Sequence, residues 1–474
     1  MSKEILADVI RLREARESAD SLWPARVNKI NAIRAWIDYN RSLVAVLPNH
    51  EETLGNLKSK IEAVESDALS NLPQGASILA LRQSINTLQL DLDNSKDGQV
   101  AKSLQQTIID SKKSLAVLEN QFIVPDLSKN VLQWRYEVMA GLVQDLHDFS
   151  DPQSGVYAKM KERLLQAQTI ATKTVDNHKD VWQNTIAEIK NSPMYDGLTI
   201  APQVGLVPLG ADPKSQLNEF LHLETHAGVI PVRSVQGEIP MTEDTGIILV
   251  LIPKGKFWMG TQKDDEKGQN YDPLGEPEET LREVTIDRAF LLSKYEMTTG
   301  QWSRGPAKIQ SPSAFPFPRL NYPVQNVSWH MVDTFLDRVG LQMPSQEEWE
   351  YAARAKTSSP WACGVTKIKD IPEVGNIPGR EASYERSAET TIEDSHQLIA
   401  PVGRFRANKF GLFDVLGNVF EWTASTGFHG SRIYRGGSYQ LGASYARIAF
   451  CSATGPGDRR RDIGVRPSYQ LPSN

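Results

Sequence analysis

Of the 32 glycines in this 474-residue chain, five fall before residue 196, and that asymmetry constrains what each part can fold into. Glycine weakens helix interiors and supplies the positive-φ positions that turns need. The first part therefore reads as helix, the second as turns and short strands. Leu54, Leu57, Ile61, Val64 and Ala68 recur at alternating spacings of three and four, as do Ile78, Leu81, Ile85, Leu88 and Leu92. Such spacing lines one helix face with apolar side chains, a heptad seam. After the polar turn from Asp93 to Gly98 the pattern resumes at Leu104, Ile108, Leu115, Leu118 and Phe122, which predicts an antiparallel hairpin. Pro48, Pro73, Pro125, Pro152 and Pro193 punctuate the rest, giving five or six helices in a bundle over residues 1–195. The seams pack within the bundle, or they pair through residues 50–125 with a partner helix or a second copy.

Residues 196–240 hold LTIAPQVGLVPLGADPKS and a short polar run, with too many Val, Leu and Ile for a free linker. A connector packed on its neighbours is expected. Over residues 241–474 the grammar is α+β. GIILVLIP and KFWMG read as short strands. Ser328 caps a helix that runs to Val339 and stops at Gly340, and Ser345 with Glu348 forms a capping box before Trp349.

Composition narrows function. Residues are 40% hydrophobic and 23% charged, and no apolar run is long enough to span a bilayer. The start, MSKEILADVIRLREARESAD, lacks a signal-peptide pattern, so a cytoplasmic location is expected. Cys363 and Cys451 are too few for a disulfide framework or a thiolate cluster. A net charge of -6 argues against nucleic-acid binding by bulk charge.

Seven motifs stand in order between about residues 245 and 468: PKGKFWMG, KYEMTTGQW, YPVQNVSW, QMPSQEEWEYAARA, APVGRFRANKFGLFDVLGNVFEW, YRGGSY and IGVRP. This order resembles the formylglycine-generating enzyme, or sulfatase-modifying factor, family (FGE-sulfatase), and implies a C-type-lectin-like fold. VGLVPLGADPKS followed by MTEDTGIILVLIP also resembles the segment ahead of this domain in bacterial kinase-fused proteins, although no kinase motif occurs here. The layout expected is multidomain: an all-α helical bundle or coiled coil, then an α+β C-type-lectin-like domain.

The resemblance also says what to look for. Formylglycine-generating enzymes bind copper(I) through two cysteines five positions apart, just after the GGS segment. Soft thiolates suit that ion. In RGGSYQLGASYARIAFC those positions are Leu441 and Ala446, so no copper is expected and catalysis of that type is not. The iron-dependent sulfoxide synthases of ergothioneine biosynthesis place a helical domain before the same fold, with two histidines four apart and then a glutamate. HLETHAG offers His222 and His226, but Gly228 stands where the glutamate belongs.

Variable proteins of diversity-generating retroelements share the fold, and their C-terminal segment alternates framework with ligand-facing residues. The framework here would be Arg435 to Ser438, Ala443, Arg447, Ala449, Pro456, Arg459, Ile463, Gly464 and Arg466. The ligand-binding set implied is Tyr439, Gln440, Leu441, Ser444, Tyr445, Phe450, Ser452, Thr454, Asp458, Arg460, Arg461 and Asp462. Aromatic, arginine and small polar residues together make an adaptable binding surface. The family's structural calcium would map to Asn376, the Ile377 carbonyl and Asp394 at one site, and to Asn418, the Val419 carbonyl and Glu421 at another. These features imply a non-catalytic protein-binding module, with the helices for assembly or partner docking and with neither nucleic acid nor membrane as partner. The competing class is a metal-dependent oxidoreductase that uses the same cleft.

Overall fold

The computed structural model describes residues 3–70, 75–95, 98–120, 127–305, 320–379 and 395–472. The chain forms two compact units, one of Met1–Leu22 and Asn31–Leu164, the other of Trp23–Ile30 and Leu165–Asn474.

The first unit is helical. Its elements are α1 (Lys3–Asp20), α2 (Ile30–Ala45), α3 (Leu47–Ser70), α4 (Gly75–Asn94), α5 (Gly98–Asn120), α6 (Leu127–Ser150) and the first half of α7 (Val156–Thr174). The expected hairpin is α4 against α5, and the seam of α3 packs on α6 and α4. Ile61, Ile78, Ile85 and Ile108 are its buried positions, as the heptads require. Phe122 lies outside the described residues, as does the side chain of Ala68. Pro48 sits in the first turn of α3, where its missing N–H costs nothing. Trp36, Phe149 and Tyr157 pack ring to ring at 6.0–6.4 Å.

With α8 (Lys179–Asn191), eight α-helices precede residue 192 among the described residues, rather than five or six. The break read from Pro48 falls at Val46; the two additional ones lie between α1 and α2, where Pro24 stands, and at a 3-10 turn over Asp176–His178, which carries neither Gly nor Pro.

In the second unit, α8 packs on the start of a five-stranded antiparallel sheet. The strands are β1 (Leu206–Ala211), β2 (Asn218–His222), β3 (Ile248–Ile252), β4 (Gly255–Met259), β5 (Arg282–Ile286), β6 (Phe290–Ser293), β7 (Phe420–Thr426), β8 (Arg432–Arg435), β9 (Cys451–Thr454), β10 (Ile463–Val465) and β11 (Ser468–Gln470). They form sheets in the order β1-β2-β3-β6-β11, β10-β7-β8-β9 and β4-β5. Three helices interrupt them: α9 (Thr299–Ser303), α10 (Trp329–Val339) and α11 (Gln346–Arg354). The expected caps are present. Ser328 accepts from the Met331 N–H, Gly340 takes the left-handed conformation, and Ser345 and Glu348 cap each other. Helix α11 packs on β4, β5, β7 and β8, which ties two sheets together.

The connector over residues 196–240 does more than pack, because it supplies β1 and β2. The strand β2 is hidden from hydropathy because Asn218, Glu219 and His222 are all buried in it. Glu219 survives burial by pairing with Lys294 at 2.5 Å and Arg233 at 2.7 Å.

Candidate functional site

The segment from β8 to β10 is held by three buried arginines. Arg435 ion-pairs with Glu350, which also accepts from Arg354 at 2.8 Å. Arg447 binds Glu279 at 2.6 and 2.9 Å and Asp272 at 3.0 Å. Arg466 contacts both Glu421 oxygens, at 2.7 Å for the shortest. The Arg447 and Arg466 guanidinium forks grip their carboxylates in a planar, two-pronged geometry that a lysine could not, while Arg435 uses one nitrogen for Glu350 and for the Ile448 carbonyl. Between them the chain turns through Gly436 and Gly437, at φ 101° and 82°. A Cβ on Gly437 would lie 2.7 Å from Ala446, so the turn closes directly on that methyl group. At the two positions expected of copper thiolates there is thus a buried alanine and a half-buried leucine packed on the core.

The twelve expected ligand-facing residues divide sharply. Ser444, Tyr445, Asp458 and Arg461 are exposed, and Gln440, Leu441, Ser452, Thr454 and Arg460 are partly so. Tyr439, Phe450 and Asp462 are buried, which corrects the expectation that they face a ligand. Tyr439 packs with Ile399 and Val419. Phe450 lies in the main core, edge-on to Tyr445 at 5.3 Å. Asp462 accepts both forks of Arg460 at 3.0 and 2.9 Å and the Ser438 hydroxyl at 3.2 Å. Arg460 also donates to the Tyr434 hydroxyl at 2.9 Å, so it serves the scaffold as much as the surface. Asp458 accepts from Gly455 N–H at 2.9 Å and from Thr454 Oγ1, closing the turn after β9.

The oxygen donors behave differently at the two calcium positions. Glu421 has both oxygens on Arg466, and one also accepts from Trp349 Nε1 at 2.6 Å. Asn418 Oδ1 already accepts from the Ala400 N–H at 2.8 Å and from Asn376 Nδ2 at 3.1 Å. That set does not fit a cation, since its side-chain oxygens are already taken by donors. Asn376 Oδ1 is instead buried without a partner, which fits one ligand of the first position. Asp394, the other side-chain ligand expected there, lies outside the described residues.

Sequence reasoning missed Glu296 and Asp414. Glu296 accepts from Asn418 Nδ2 at 2.6 Å and from the Val419 N–H at 3.1 Å. Burial, then the neighbouring Asp414 and Glu421 charges, hold its carboxyl well above the ordinary range. Burial likewise raises Asp414 to about 6. Three carboxylates against the Arg466 guanidinium make a crowded buried cluster. Its members lie far apart in the chain, so no local motif announces it.

The histidines do not converge. His222 ends β2, not a helix turn, and His226 follows a 3-10 turn over Leu223–Thr225. His222 Nε2 meets the Val339 carbonyl at 3.1 Å, and burial followed by Arg26 lowers its pKa to about 3. His226 Nε2 meets the Val229 carbonyl at 3.0 Å. Both rings are occupied by protein partners, and they use different ones. Cys363 sits by the Arg406 carbonyl, its thiol pushed up to about 11 by burial, while Cys451 is exposed on β9.

Comparisons with known proteins agree with the motif order. A family model described as a sulfatase-modifying factor enzyme 1-like domain (FGE-sulfatase) matches residues 236–469. The formylglycine-generating enzyme of Streptomyces coelicolor is 28% identical over 181 residues, covering 31% of this chain and 52% of the relative. A Mus musculus protein named inactive C-alpha-formylglycine-generating enzyme 2 is 32% identical over 128 residues, covering 26% and 39%. The chain thus spans about half the length, or less, of these curated relatives. Among solved structures, PvdO from Pseudomonas aeruginosa is 24% identical with a TM-score of 0.39, over 48% of this chain and 95% of that one.

Proposed function

We propose that the FGE-sulfatase domain of this chain, residues 236–469, is a non-catalytic C-type-lectin-like module that binds a protein ligand on the surface of residues 440–461. One observation carries the reading. The pinned scaffold of Arg435, Arg447 and Arg466 is complete, while the positions between them that would supply copper thiolates hold Leu441 and the buried Ala446. A rigid segment without sulfur can still present Tyr445, Ser444, Asp458 and Arg461. Aromatic and arginine side chains on a preorganised surface are the residue types that dominate binding energies.

Two measurements test it. A sulfatase-type cysteine peptide incubated with copper-loaded protein under oxygen should gain no formylglycine by mass spectrometry beyond a Leu441→Asp control; clear product would restore the oxidoreductase reading. Protein ligands selected by display against the immobilised full chain should bind about 30-fold more weakly to Tyr445→Ala, the equivalent of about 2 kcal/mol. Arg461→Ala should act in the same direction. Selected ligands indifferent to both variants would move the binding surface elsewhere.

A further inference from the structure

An edge strand exposes unpaired backbone N–H and C=O groups, and proteins guard such edges with charges, proline, bulges or a covering segment. In this domain most edges are guarded. Edge β1 carries Pro208 and a bulge between Pro208 and Gly210. At β11 the Ser468 backbone pairs with Gln342. Val465 of β10 accepts from the Met297 N–H at 2.9 Å. The two-stranded ribbon carries Lys256 on β4 and Arg282 and Glu283 on β5.

Among the described residues, strand β9 has none of these devices. Its sequence is Cys-Ser-Ala-Thr, uncharged and small, and it pairs with β8 over four residues without a register shift. None of its residues is buried, and no hydrogen bond of its backbone outside the β8 pairing occurs among the described residues.

Each end of this strand carries an exposed aromatic ring. Tyr445, 40% exposed, stands edge-on to Phe450, the residue before Cys451. Phe428, 90% exposed, is at the tip of the β7–β8 hairpin, where a Cβ on Gly427 would lie 3.2 Å from Ala453 Cβ. Charge also differs between the ends. Cys451 stands opposite Arg435, whose charge Glu350 takes. Burial raises its thiol against the pull of Arg435, and Glu279, paired with Arg447, Glu350 and the exposed Glu276 add to the rise. Thr454 instead stands opposite Arg432, with Arg459 and Asp458 beyond it.

From this we infer that β9 is a pairing edge for a second copy of the same chain, antiparallel across a two-fold axis. Such pairing sets the Phe428 end of one copy against the Tyr445 end of the other, and Arg432 and Arg459 toward Glu276. A two-fold interface must be self-complementary in this way. The axis normal to the sheet places one residue opposite itself, either Ser452 or Ala453. The four-stranded sheet of each copy then continues into its partner, and the two copies of Cys451 share a face. Their separation is about 8 Å with the axis at Ser452 and about 14 Å with it at Ala453, from strand rise and spacing. This inference goes beyond ligand binding and stands whether or not a ligand binds.

The test uses the full chain. Sedimentation across a dilution series should give an apparent mass near twice 52.9 kDa, and Ala453→Lys, which puts a charge on the exposed edge, should halve it. In a Cys363→Ser background a flexible bis-maleimide should cross-link two chains through Cys451, and the further Cys451→Ser change should abolish the product. Should Ala453→Lys misfold by circular dichroism, the cross-link alone decides. A monomer throughout overturns the inference. So does a dimer that survives Ala453→Lys and gives no Cys451 cross-link, which would place self-association on the helices. Tyr445 belongs both to this edge and to the proposed ligand surface, so ligand binding is followed separately with Arg461→Ala, which leaves β9 and Tyr445 unaltered. Ligands indifferent to Arg461→Ala while the Cys451 cross-link forms overturn the binding surface alone. A missing cross-link while Arg461→Ala still weakens the ligand overturns the pairing alone.

Discussion

In the helical unit the buried positions along the seams are Ile61, Ile78, Ile85 and Ile108, whereas the largest fully buried side chains of the C-terminal unit include Arg435, Arg447 and Arg466. The first kind of core follows from periodicity and tolerates imprecision, since apolar contacts have no preferred direction. The second depends on a few directed bonds between distant residues. Arg447 reaches Asp272, 175 positions away, and Arg466 reaches Glu421, 45 away. A loop-rich domain with short strands has little regular backbone pairing, so buried ion pairs fix where its loops go. The contrast teaches that the two units should fail differently.

The largest effect is expected from Arg466→Met. It leaves Glu421 buried beside Glu296 and Asp414 with no cation, a loss of about 4 kcal/mol by the measure of broken buried pairs. Urea denaturation of the C-terminal unit should show it. Adding Glu421→Leu should recover much of the loss, because burying neither charge costs less than burying one. A single variant as stable as the parent would break the comparison. Next, Ile108→Ala should cost the helical unit about 3 kcal/mol through the cavity it opens, while leaving the C-terminal transition in place. Calorimetry separates the two, and a matching loss in both transitions would mean the units are energetically one.

Acid should act more gently and on the C-terminal unit. Burial, then the Arg26 charge, hold the folded His222 at about 3, below the ordinary histidine value of 6.5, so the unfolded state takes the proton first. Stability is therefore full above about pH 6.5 and falls as pH drops toward 3, by about 2 kcal/mol at pH 5. A His222→Asn variant should show a shallower slope between pH 7 and about 5. An unchanged slope would put the acid sensitivity on other groups.

How much of this was legible varies with the range of the interaction. Helices α10 and α11 were readable from Ser328, Gly340, Ser345 and Glu348, because capping is local. The α4–α5 hairpin was readable from its seams. Strand β2 was not, since Glu219 is buried only because Lys294 and Arg233 arrive from elsewhere in the chain. On the candidate surface, residue types indicated a binding palette but not which side chains point inward. Phe450 and Asp462 turn in because the main core and Arg460 claim them. Glu296 and Asp414 had no local signature at all.

The placement of Trp23–Ile30 in the C-terminal unit has a meaning in time. Arg26 pairs with Glu224, 198 positions later, and donates to the Val339 carbonyl, 313 positions later. During synthesis at about 5–20 residues per second the second partner emerges roughly 15–60 s after the arginine does. Helices form in microseconds or less. The seven helical segments of the first unit are thus made while this short stretch, interrupting them in sequence but belonging to a domain not yet synthesised, still waits for its partners.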